Sequence, residues 1–79
     1  MSTQESHPVR LSDIAPGEEV IVVGLASGRG AARHFTKLGV EPGMALRVLE
    51  SVGAGPVFVA LGERQLEIGR GMADKLLVR

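Results

Sequence analysis

The sequence predicts a mainly β domain, a small five-stranded barrel with one short α-helix at about residues 29–38. Three observations carry this. Short alternating apolar runs follow one another closely, with Gly- and Pro-rich turns between them, which is the pattern of a small barrel. Only "SGRGAARHFTKLG" has helical spacing, with Ala31, Phe35 and Leu38 at i, i+4 and i+7 and Ala32 beside them. The chain has 79 residues and no cysteine, so it makes one domain with a small core and neither disulfide nor thiolate metal site. A core that small needs compensation, which a compact barrel or self-association supplies.

The elements follow in order. "MSTQESHP", residues 1–8, reads as a flexible tail, and the domain spans 9–79. In "VRLSDIAPGEE", Ser12 is placed to cap a single turn that tucks Leu11 and Ile14 inward. Pro16-Gly17 then turns the chain, Pro presetting φ and Gly accepting a positive one. "EEVIVVGLA" is β-branched and apolar, which suits a buried strand, and Gly24 marks a bend or a close approach. The helix ends at Gly39, and Val40 is expected to fold back onto Phe35 in a Schellman ending. Pro42-Gly43 reverses the chain into "MALRVLES", with Leu46 and Val48 on one face and Arg47 on the other. "VFVALG" places Val57, Val59 and Leu61 inward, and "RQLEIG" does the same for Leu66 and Ile68. "RGMADKLLVR" reads as one tight turn and a last strand around Leu76 and Val78. The turns "APGEEV" and "EPGMAL" use the same chemistry twice, but their flanks do not match, so they are not an internal duplication.

Bulk composition excludes several functions. Nine basic and nine acidic residues cancel, whereas a dedicated nucleic-acid binder carries a basic excess. The only aromatics are Phe35 and Phe58, so neither a base-stacking platform nor an aromatic peptide groove is available. The longest apolar run, "VIVVGLA", is far short of the roughly 20 residues a membrane span needs. The first residues have no apolar signal-peptide centre, so the expected location is the cytoplasm, without direct membrane insertion.

Taken in order, "LSDIAPGEEVIVVGL", a Gly-rich joint, "ARHFTKLGVEPGMALRVL", "PVFVAL" and "LEIGRGMADKLLV" resemble the FeoA family across residues 9–79. The helix end and turn "LGVEPG", followed by an alternating strand, is the most specific piece. The resemblance implies an SH3-like barrel and a non-enzymatic accessory role in ferrous iron uptake. The partner it implies is the cytoplasmic part of a FeoB-type transporter. A second reading is an SH3-like regulatory or ligand-sensing domain related to the C-terminal domain of metal-dependent repressors. Three departures from the family pattern stand out, one being that the basic content after the Gly-rich joint is modest. Phe58 and Ala60 occupy the outer face of the third strand where polar residues are usual, and "VGAGP" lacks the Asp common in that loop.

Five residues are the candidate partner-binding set. Arg29, Arg33 and Lys37 fall at i, i+4 and i+8, opposite the apolar stripe, and read either as a docking face for an acidic partner or as a solvated helix face. Phe58 and Ala60, with Leu49, form either an exposed apolar contact patch, for a partner or a homo-oligomer, or a surface covered by a loop or the N-terminal turn. Gly24, Gly28 and Gly30 fit neither a P-loop nor a dinucleotide fingerprint and read as a joint demanding glycine φ angles, with an unspecific anion at the helix start as the alternative. No metal-ligand spacing is present. His34 with Glu41 or Asp13 reads as an adventitious site, with a specific transition metal site as the lesser alternative, and no cofactor is implied. No Ser/His/acid set and no facing carboxylate pair suggests catalysis, since Glu18 and Glu19 point to opposite faces of a strand.

Overall fold

The computed structural model describes residues 7–26 and 29–79. Of the predicted tail it includes only His7 and Pro8, both exposed, and Gly28 of the glycine cluster lies outside the described residues. In chain order the elements are β1 (Val9–Arg10), a 3-10 turn (Leu11–Asp13), β2 (Glu19–Leu25), α1 (Arg29–Leu38), β3 (Ala45–Ser51), β4 (Val57–Leu61), β5 (Arg64–Ile68), α2 (Arg70–Ala73) and β6 (Leu76–Val78). Every pairing is antiparallel, and the sheet order is β1-β6-β2-β3-β4-β5.

The sheet therefore has six strands rather than five. β1 holds only two residues, too few for alternation to show, and exists because β6 offers it an edge through Val9↔Val78 and Arg10↔Leu77. The tight turn expected before the last strand contains a short helix, α2. Ser12 does not cap its turn; its hydroxyl donates instead to the Asp74 carboxylate, tying the 3-10 turn to the end of α2.

Alternation places the core as predicted. Val20, Val22, Leu46, Val48, Val57, Val59, Ile68, Leu76 and Val78 point inward and are buried, with Leu11 and Phe35 closing over them. Leu66 is half-buried against the same cluster. Among the described residues no polar side chain is buried, so the interior is held by apolar packing.

The two Pro-Gly turns have a joint role that their sequence did not reveal. Gly17 has φ +93° and Gly43 φ +92°, the left-handed value that the third position of a type II turn requires. Each turn is closed by a 3.2 Å bond, Glu18 N–H to the Ala15 carbonyl and Met44 N–H to the Glu41 carbonyl. Each also docks on the neighbouring strand. Gly17 N–H donates to Val48 O (2.7 Å) and Val48 N–H to Glu18 O (2.9 Å). At the other end Gly43 N–H donates to Val22 O (2.7 Å) and Val22 N–H to Met44 O (2.8 Å). One turn thus seals each end of the β2–β3 ladder.

The end of α1 is the predicted Schellman motif. Val40 N–H reaches back to Phe35 O (2.9 Å) and Gly39 N–H to Thr36 O (3.0 Å), with Gly39 at φ +83°. Gly39→Ala is expected to cost about 1–2 kcal/mol, the strain of an L-residue in this region. The contact an added Cβ would make, 3.1 Å to Arg64 Nη1, is with the far end of a flexible side chain and is relieved cheaply. A lower urea midpoint at unchanged slope is the measurement that checks it.

Candidate interaction surfaces

α1 presents its charges as the spacing predicts. Ala31 and Phe35 are buried, Leu38 is half-buried, and Arg29, Arg33 and Lys37 are exposed on the opposite side. At 1.5 Å rise per residue these three charges span about 12 Å along the axis. The helix "RGAARHFTKL" carries no acidic residue, so the face has one sign in a chain with no net charge. Arg64, from the start of β5, adds a positive charge at the helix end: its guanidinium donates to the Leu38 carbonyl (3.2 Å) and caps the negative end of the helix dipole. Sequence reading missed Arg64 because it lies 26 residues from its acceptor.

Between α1 and the sheet runs an apolar cleft of about 200 Å³, walled by Val22, Leu25, Ala32, Phe35, Val40 and Leu76. It contains no ionisable cluster suited to chemistry. His34 sits half-buried on α1 with its ring edge-on to Phe35, centroids 5.6 Å apart at 78°. Among the described residues no three His, Asp or Glu side chains come together as a metal site.

The glycine joint needs correction. Neither Gly24 nor Gly30 has a positive φ, and a Cβ at either meets nothing within 4 Å. The chain bends there through a bulge instead, the β2–β6 register shifting between Val22 and Gly24.

Phe58 and Ala60 lie on the outer face of β4, half-buried. The N-terminal 3-10 turn packs on α2 and β6. Their cross-strand neighbours flank them: Phe58 lies between Glu50 and Glu67, and Ala60 between Arg47 and Gln65. Leu49 is the extra residue of a second bulge, between Val48 and Glu50, and is exposed at the edge of a shallow depression containing Ala45, Arg47 and Ala60.

The fold and these surfaces define a class: a small SH3-like β module in which, among the described residues, no charged side chain is fully buried. Among the described residues no helix is long and apolar enough to cross a membrane. Comparison with known proteins narrows the class. The FeoA domain matches residues 9–79. The chain is 37% identical over 62 residues to a Methanocaldococcus jannaschii protein named for Fe(2+) transport, covering 78% of this chain and 74% of that one. The crystal structure of an iron uptake regulatory protein, FeoA, superposes with TM-score 0.85 at 36% identity, covering 92% of this chain and 97% of the other. A manganese-dependent transcriptional repressor in complex with manganese shares the fold at TM-score 0.85 and 21% identity, over 95% of this chain and 37% of the repressor. The chain belongs to the FeoA family, a family of ferrous iron transport.

Proposed function

We propose that this chain is a non-enzymatic cytoplasmic accessory protein of ferrous iron uptake that acts by touching the cytoplasmic part of a FeoB-type transporter. The observation that supports this reading is the single-sign face of α1: Arg29, Arg33 and Lys37, with Arg64 at its end and no acid on the helix. A rigid helix end and a uniform charge suit a module that is steered onto an acidic surface. The fold shared with the manganese-dependent repressor favours a second reading, a regulatory SH3-like domain that senses a ligand. That reading needs no partner at α1.

The test is binding to the soluble domain of the transporter from the same cell. The triple variant R29E/R33E/K37E is expected to weaken binding by about tenfold or more, mostly through a slower on-rate, and to flatten its salt dependence. All three side chains are exposed, so the variant keeps its fold. Unchanged binding together with unchanged iron uptake would overturn the adaptor reading.

A further inference from the structure

The register of all six strands gives a map of the outer face. Directly opposed residues share a face, so the outward rows are Arg10–Leu77–Gly24, Arg79–Ile21–Ala45, Glu19–Arg47–Ala60–Gln65 and Glu50–Phe58–Glu67. The Ile21–Arg79 pair is set by two reciprocal 3.0 Å backbone bonds. An antiparallel sheet facing water is ordinarily polar on that side. Here every row has an apolar residue inside it, and Leu77, Ile21, Ala45, Ala60 and Phe58 form a seam across β6, β2, β3 and β4.

The seam is also electrically polar. Its β6 end is flanked by Arg10 and Arg79, and its β4 end by Glu50 and Glu67, one on each neighbouring strand. All four are exposed. The middle is a shallow depression where Ala45 and Ala60 are small, and the opposed pair Glu19 and Arg47 lines it beside Leu49. A surface with an apolar seam, a pair of opposite charges beside its middle and opposite charge at its two ends is complementary to itself when reversed.

We infer that this outer face is a self-association surface, and that its occupant is a second copy of the chain. A twofold axis lying across the seam sets apolar residues on apolar residues. It lays the Arg10/Arg79 end of each copy over the Glu50/Glu67 end of the other, the self-complementary arrangement that closes a dimer. The contact uses the sheet and leaves the α1 face free, so it stands whether or not the transporter is the partner.

Sedimentation of the full chain tests this. Association that depends on protein concentration is expected at about 0.01 M salt, where the Debye length is about 30 Å, and is expected to weaken at about 1 M, where it is about 3 Å. R10E/R79E and E50R/E67R should each weaken association by about fivefold or more, because each sets like charges together twice. Mixing the two variants should restore it as a heterodimer. The combined R10E/R79E/E50R/E67R chain should restore it as a homodimer, which a merely misfolded variant would not do. Phe58→Asp should weaken it without rescue by any charge change. A wild-type chain that stays monomeric at low salt and high concentration overturns the inference, and so does failure of both the mixture and the combined chain to recover association.

Discussion

Phe35→Ala is expected to cost about 3–5 kcal/mol, the range for removing a buried Phe side chain. Phe35 is only 2% exposed and is the single aromatic of the core, because Phe58 faces outward. Its ring is what α1 lays on the sheet, and its carbonyl takes the Val40 N–H that ends the helix. A domain of this size has about 4–12 kcal/mol of total stability at 0.05–0.15 kcal/mol per residue. The loss is therefore a large share of the total. The vacated space adjoins the cleft, of which Phe35 is already a wall, so it opens to solvent instead of forming a sealed void. That sets the cost toward the lower end of the range. Phe35→Leu keeps most of the volume and should lose far less. Urea unfolding of the three proteins measures this, and a loss below about 1 kcal/mol for Phe35→Ala would show that another contact anchors α1.

The places where sequence reading succeeded share a physical cause. The α1 boundary is legible because the stripe Ala31-Phe35-Leu38, the left-handed residue Gly39 and the returning Val40 all agree. β3, β4 and β6 are legible because alternation decides which side chains are buried, and Leu46, Val48, Val57, Val59, Leu76 and Val78 follow it. β1 was missed because its pairing is the whole reason it is a strand, and its partner β6 lies at the other end of the chain. The bend expected at Gly24 is there, but it comes from an extra residue between Val22 and Gly24, and neither Gly24 nor Gly30 has the glycine-only φ that composition suggested.

The surfaces divide in the same way. The basic face of α1 follows from a local period and appears where it was placed. The neighbours of Phe58 do not follow from any local pattern. That Glu50, and not Leu49, stands beside it depends on the bulge after Val48, which the alternating run does not announce. A one-residue difference of register exchanges a carboxylate for an apolar side chain at that position. The charge map of the outer face thus exists only once the pairing is known.

Arg70→Met is expected to destabilise the fold by roughly 1.5–3 kcal/mol, the range for hydrogen bonds to a charged group. Arg70 is partly buried and donates in three directions: Nε to Gly55 O at 2.9 Å, Nη1 to Ser12 O at 3.3 Å and Nη2 to Ser51 Oγ at 3.2 Å. It therefore joins α2 to the 3-10 turn and to both ends of the β3–β4 connection, segments up to 58 residues away in sequence. Methionine fills the place of the stem but leaves two carbonyls without their donor. Arg70→Lys separates geometry from charge. A lysine keeps the positive charge but has no planar fork, so it cannot hold three acceptors on diverging lines. The lysine variant should accordingly lie much closer to the methionine variant than to the wild type, and in both the amides of residues 51–56 should exchange faster than those of β2. If Arg70→Lys proves as stable as the wild type, net charge near α2 is what matters and the three-way fork is incidental.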